Sequence, residues 1–215
     1  MSTRTPRRNA QHWSSYYRQS RDRPPRELLR HVLDHVDWEG GASPGRTAVD
    51  LGSGAGTESL EMLRRGWRVL AVDKEVSAAR FLVRRTPVRF RSRLTAVVSP
   101  MEGLSLPAAD LVFASFSLPF CDPKKFPGLW TSIRRAIRPG GHFAGVLFGD
   151  ADEWSGNDEM SFHGRSDIAR LGRGWKVELL RETVEEGRCF KAPDGWRPKH
   201  WHYFEVILEK PRLAE

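Results

Sequence analysis

Residues 47–56 read T-A-V-D-L-G-S-G-A-G, an apolar run that carries Asp50 and opens into glycines at alternate positions, Gly52, Gly54 and Gly56. Glycines so spaced let a chain turn tightly and let a ligand lie against bare backbone, with the following helix N-terminus aimed at it. The pattern departs from G-x-G-x-x-G, because Thr57 stands at the third glycine position. Two acids sharpen it. Asp50 precedes the first glycine by two residues, and Asp73 ends the next apolar run, seventeen residues after Gly56. A carboxylate there suits the paired hydroxyls of a ribose. The chemistry implied is the holding of a nucleoside-bearing cofactor with its tail on the glycine loop.

Three other groups of residues could do chemistry. Ser115-Phe116-Ser117-Leu118-Pro119-Phe120 follows an apolar run and offers hydroxyls beside aromatic rings. Trp13, Tyr16 and Tyr17 form an aromatic cluster near the N-terminus, and such faces suit a cation. Lys199-His200-Trp201-His202 enters the last strand, where a period of two puts His200 and His202 on one face. Histidine titrates near neutral pH, so His163, His200 and His202 are the candidates for proton transfer. His200 and His202 lack a convincing third ligand, and His31-Val-Leu-Asp-His35 reads as two histidines on an exposed helix face. No metal is expected.

The elements that must position these residues alternate. A helical pattern from Trp13 to about Asp37, broken at Pro24-Pro25, carries Leu28, Leu29, Val32, Leu33 and Val36 on one stripe. Residues 1–12 are polar, Arg-rich and expected to lack structure. Gly40, Gly41, Ser43, Pro44 and Gly45 form a loop. Strands are predicted at 47–51, 68–72, 94–98, 110–115, 142–148, 176–184 and 202–209. Helices are predicted at 57–65, 75–85, 127–137 and 166–171. Helices between continuous apolar strands make a mostly parallel α/β sheet covered on both faces, and two final strands without a helix between them make an antiparallel hairpin. In such a sheet ligands bind beyond the carboxyl ends of the strands. That gathers Asp50, Asp73, residues 98–102, 115–120 and 148–150 at one edge.

Composition bounds the class. The 215 residues are 39% hydrophobic and 29% charged, enough for a core and against wholesale disorder. No run approaches the length of about 18 apolar residues that spans a membrane. The N-terminus has no apolar signal region, and two cysteines make no disulfide framework, so a reducing cytoplasm is expected. Net charge is +8. Residues 1–30 hold eight arginines against Asp22 and Glu27, which leaves +2 on the rest. The basicity belongs to an N-terminal arm, not to a basic globular surface.

Taken together, D-L-G-S-G-A-G, V-L-A-V-D-K, A-D-L-V-F-A-S-F and R-P-G-G-H-F, in this order over about residues 46–148, resemble the successive motifs of class I S-adenosylmethionine-dependent methyltransferases. NAD enzymes use a similar loop but more often carry an apolar residue where Asp50 stands. The resemblance implies a Rossmann-like, doubly wound, seven-stranded sheet over residues 41–215, ending in an antiparallel hairpin, with residues 1–40 as a basic arm and lid helix. It implies S-adenosylmethionine as cofactor. Asp50 and the loop Gly52, Ser53, Gly54 and Gly56 would hold the methionine end, Asp73 the ribose hydroxyls, and Lys74 would flank the adenine. Many members carry an acid early in the loop after the third strand. Here Pro100 takes that place, so Met101 is expected to cover the ring and Glu102 to serve as substitute acid. Tyr17 and Ser115 complete the expected cofactor set.

S-L-P-F is similar to the [DNS]-P-P-[YF] box of amino-methyltransferases, with Leu118 replacing the first proline; an amino-group role is one reading, and the one expected is shaping of an acceptor pocket through the backbone. Phe-Ser-Leu-Pro-Phe-Cys also resembles small methyltransferases of the tellurite-resistance type. The acceptor pocket is expected from Phe116, Phe120, Phe148 and His200, closed by the N-terminal lid. The expected activity is methyl transfer to a small molecule by a monomer or homodimer. The alternatives are an RNA or protein acceptor recruited by the basic arm, and a non-catalytic cofactor-binding subunit.

Overall fold

The computed structural model describes residues 6–40, 45–191 and 195–212. Helices α1 (Pro6–Ser20) and α2 (Glu27–Gly40) precede β1 (Thr47–Leu51), α3 (Thr57–Arg64), β2 (Arg68–Asp73), α4 (Val76–Arg85), β3 (Leu94–Val98) and β4 (Ala109–Ala114). Next come α5 (Phe126–Ala136), β5 (Ile137–Gly149), β6 (Phe162–His163), α6 (Arg165–Leu171), β7 (Lys176–Lys191) and β8 (Gly195–Glu209). The strands order as β3-β2-β1-β4-β5-β8-β7, and β6 pairs with β5 off this path. Strands β1 to β5 are parallel, and β8 is antiparallel to both β5 and β7. The expected seven strands are joined by an eighth, a two-residue strand too short to leave a periodic signal.

Alternation along the inner strands loads both faces. Val49, Leu51, Val112, Ala114 and Phe143 meet Trp130 and Ile133 of α5, while Ala48, Leu111, Phe113 and Ala144 meet α2 and α3. Strand order reverses between β1 and β4, which opens a crevice beyond their carboxyl ends. The glycine loop and Ser115–Phe120 border it.

Three expectations change. Residues 6–12 belong to α1, so the arm is helical from Pro6 where it was expected to lack structure; residues 1–5 lie outside the described residues. Gly40 ends α2, while Gly41, Ser43 and Pro44 lie outside the described residues. The final hairpin is the larger departure. Its ladder runs from Lys176↔Glu209 to Lys191↔Gly195, while β5 pairs β8 only from Glu209 to Tyr203. The rest projects past the sheet as a two-stranded arm beside the crevice, its pairing continuing through Arg188↔Pro198. No helix among the described residues is long and apolar enough to cross a membrane.

Candidate active site

The crevice encloses about 2450 Å³. Single-ligand pockets reach about 1,000 Å³, so this one has room for two molecules. Its floor is the glycine loop. Gly52, Gly54 and Gly56 all have left-handed φ, at 72°, 52° and 80°. A Cβ on Gly52 would lie 2.3 Å from Ser117 Cβ, and one on Gly56 2.3 Å from Leu82. The loop is thus compressed between α4 and the strand-four loop, where only glycine fits.

Asp50 lies behind the loop, 2% exposed, and its carboxylate accepts from Ser59 Oγ at 2.5 Å. Burial, reinforced by nearby Glu58, pushes its pKa up to about 7. Asp73 accepts from the N–H groups of Gly54 and Glu75, each at 2.9 Å, and from Tyr17 Oη at 3.2 and 3.3 Å. Burial raises the Asp73 pKa against those bonds, and burial with the Asp73 charge also pushes the Tyr17 hydroxyl up, keeping it a donor. The Tyr17 ring lies against the loop, since a Cβ on Gly54 would be 3.2 Å from Tyr17 Cε1. Lys74 is exposed beside Asp73, and Met101 and Glu102 line the crevice. The Glu102 carboxylate accepts from the Asp122 N–H at 3.3 Å, so it also braces the strand-four loop. The Ser115 hydroxyl is buried without a hydrogen-bond partner.

The far half is aromatic. Phe116 has φ 53°, the only left-handed non-glycine among the described residues. Strain of about 1–3 kcal/mol at such a position persists where surroundings over-determine it, most often at functional sites. Its ring sits under the Arg26 guanidinium at 4.4 Å and edge-on to Trp201 and Phe148. Trp13 of α1 meets Phe120 edge-on at 4.9 Å, and Trp154 meets Trp201 at 5.7 Å. Behind them Lys199, wholly buried, binds Asp152 at 2.5 Å and lies 4.0 Å from the Trp201 ring centre and 4.3 Å from that of Trp154.

The three candidate histidines do not line the crevice. His163 is buried against Phe126, and burial lowers its pKa to about 4, leaving it neutral. His202 accepts the Ala151 N–H on Nδ1, which leaves Nε2 to donate to Glu182 at 2.9 Å. His200 pairs with Glu186 at 2.6 Å. His200 and His202 do share a face, but Trp201 and Tyr203 on the opposite face are the ones that line the crevice, so His200 leaves the acceptor wall. Period two divides a strand into faces without saying which one looks inward. Sequence reasoning also missed His12, which lines the crevice from α1, and Arg23, which grips Glu58 at 2.6 and 2.8 Å.

Comparisons agree with this geometry. Residues 48–141 match the methyltransferase domain model Methyltransf_25. No curated protein matches the chain. Among solved structures the fold is similar to TehB from Haemophilus influenzae, with a TM-score of 0.66, 14% identity and 84% of this chain covered; the chain spans 61% of that protein. It is also similar to the Burkholderia thailandensis 1,6-didemethyltoxoflavin-N1-methyltransferase, with a TM-score of 0.59 and 18% identity over 98% of this chain and 92% of that one. A structure of the complex between the Haloferax volcanii Trm112 methyltransferase activator and a methyltransferase matches with a TM-score of 0.68 and 16% identity, over 97% and 99% of the two chains. With its motif series, its doubly wound sheet and a methyltransferase-domain match over residues 48–141, the chain carries a methyltransferase domain and is similar in fold to S-adenosylmethionine-dependent methyltransferases.

Proposed function

We propose that this enzyme methylates a small, flat aromatic molecule. The observation that carries the reading is the aromatic wall of Phe116, Phe120, Phe148, Trp154, Trp201 and Tyr203, faced by Trp13 from α1. Flat rings stack on such walls and gain about 0.5–1.5 kcal/mol per pair beyond burial. The space is also roofed by α1 and the hairpin arm, which suits a molecule that enters whole better than a folded macromolecule.

The residues present fit S-adenosylmethionine. The left-handed glycine loop offers bare backbone, Asp73 offers a carboxylate at the second strand end, and the Ser115 hydroxyl is buried and orphaned. The cofactor supplies an electrophilic methyl group on a sulfonium. Gly52, Ser53, Gly54 and Gly56 with Asp50 would hold its amino-acid end, Asp73 would accept from its ribose, and Lys74, Met101 and Glu102 would border its base. Tyr17 closes over the loop and makes α1 a lid, while α2 packs on the sheet. The protein's part is alignment and exclusion of water, which can lower a barrier by about 7–11 kcal/mol. No candidate histidine reaches the crevice, so an acceptor that is nucleophilic at neutral pH, or one served by His12 of the lid, fits best. Cys121 and Cys189 are not joined to each other in a disulfide, in keeping with a reducing compartment such as the cytoplasm.

A methyl-labelled cofactor incubated with a panel of phenols and nitrogen heterocycles, and in parallel with RNA and protein pools, tests the reading. Label in a ring acceptor supports it. Label confined to RNA or protein, with activity falling steeply in salt, overturns it.

A further inference from the structure

We propose that His35, His142 and Glu178 form a zinc-binding site at the end of the sheet opposite the crevice. The three residues come from α2, β5 and β7, and they are distant in sequence. Glu178 Oε1 lies 3.0 Å from His35 Nε2, and Glu178 Oε2 lies 3.3 Å from His142 Nε2. The ligand atoms of all three fall within 4.8 Å of one another.

Glu178 reaches this position through a defect in the ladder. The β7–β8 pairing steps from Val177↔Leu208 to Leu179↔Ile207, so Glu178 is an extra, bulged residue. Bulges re-aim a side chain, and this one inverts the expected pattern. The Glu178 side chain is 10% exposed, whereas neighbouring Val177 is 52% exposed. Turning a carboxylate inward while leaving a valine in solvent costs free energy unless the carboxylate meets a matching charge. Lys176 Nζ at 3.2 Å is one, but its side chain is 60% exposed and it is shared with Glu209 at 3.0 Å. A divalent ion between the imidazoles is a stronger one.

The donor set and spacing suit zinc. Two imidazole nitrogens and a carboxylate are a familiar three-ligand set for it, with bonds of about 2.0–2.2 Å and a fourth position for water. Tetrahedral bonds of that length separate ligand atoms by about 3.3 Å; the two carboxylate–imidazole distances are of that size, each to a different oxygen of Glu178, so a rotation of the carboxylate brings one oxygen within reach of both imidazoles. His142 is nearly buried, while the His35 side chain is 33% exposed, so solvent reaches the open position from the helix side. Six residue steps along β5 separate His142 from Phe148, about 20 Å. The ion is therefore structural: it ties α2, the helix that follows the lid, to β5 and to β7, one strand of the hairpin.

The test uses the full chain stripped with a chelator and titrated with zinc chloride in a calorimeter, with metal content and thermal midpoint read in parallel. One equivalent is expected, with a midpoint rise of roughly 5–10 °C at free zinc about 100-fold above the dissociation constant. His142→Asn and Glu178→Gln should each lose more than the about 10–100-fold typical of outer-shell partners. His31→Ala, on the exposed side of the same helix, should bind zinc as the parent does. Should a buried substitution fail to fold, His35→Gln at its half-exposed position gives the same readout. No binding heat and no midpoint shift would leave a hydrogen-bonded His–Glu–His trio and overturn the proposal. Binding that survives His35→Gln and Glu178→Gln but is lost in His200→Ala would overturn it equally.

Discussion

Lys199→Met tests how the aromatic wall is held. Lys199 and Asp152 are paired at 2.5 Å with side chains at 0% exposure, and the ammonium also sits over Trp201 and Trp154. Methionine keeps the length of the stem and removes the charge. Asp152 then keeps only the N–H groups of Trp154 at 2.9 Å and His202 at 3.2 Å. Removing one partner of a buried pair costs about 3–5 kcal/mol, because a charge is left uncompensated. In a chain of this size each kcal/mol lowers Tm by about 2–4 °C. The single variant should therefore unfold roughly 6–20 °C lower by scanning calorimetry. Adding Asp152→Asn removes the orphaned charge and should recover a large part of that loss. At a temperature where the single variant stays folded, acceptor KM should rise as Trp154 and Trp201 loosen, while affinity for S-adenosylhomocysteine at the distant glycine loop holds. A Tm loss below about 2 °C, or a double variant no better than the single one, would refute the pairing as the support of the wall.

Asp73→Asn should weaken cofactor binding by about 1–3 kcal/mol, read by calorimetry with S-adenosylhomocysteine, since a charged acceptor of two hydroxyls is lost; unchanged affinity would move the ribose elsewhere. Tyr17→Ala should act on cofactor affinity, because Tyr17 touches Gly54 and Asp73, whereas Trp13→Ala should act on acceptor KM, because Trp13 touches Phe120; identical effects of the two would dissolve the division of the lid. Phe116→Ala should lower turnover far more than cofactor affinity, and proportional loss of both would misplace the acceptor. Two buried groups should oppose each other in pH dependence. The folded chain keeps a proton on Asp50 up to about pH 7 that the unfolded chain releases near pH 4, so this group makes stability fall as pH rises across that window. His163 refuses until about pH 4 a proton that the unfolded chain accepts below about pH 6.5, so it makes stability rise with pH. Denaturant titrations between pH 4.5 and 7, values chosen about the middle of that window, should show a steeper rise in Asp50→Asn and a steeper fall in His163→Gln. Parallel curves for both variants and the parent would exclude the pair.

Much of the architecture was legible because its causes are local. Alternating apolar strands and helices, glycines at 52, 54 and 56, and an acid at 73 are patterns within single strand-turn-helix units. The crevice at the strand ends follows from them by topology. The sequence alone therefore determined the sheet, the glycine loop, the placing of Asp73 and the character of the cofactor. What it left open depended on pairing between distant segments. Periodicity sorted β8 into two faces but could not say that Trp201 and Tyr203, not His200 and His202, look inward. That choice belongs to the register with β5 and the packing beneath it. The arm's length depended on cross-strand bonds between residues 183–191 and 195–203, which leave no local stop or start. Lys199 beside Asp152, Arg23 on Glu58 and the bulged Glu178 between two histidines are likewise meetings of side chains far apart in the chain. Each stands where tertiary packing strips water from a charge and so requires a partner, a condition that no window of sequence contains.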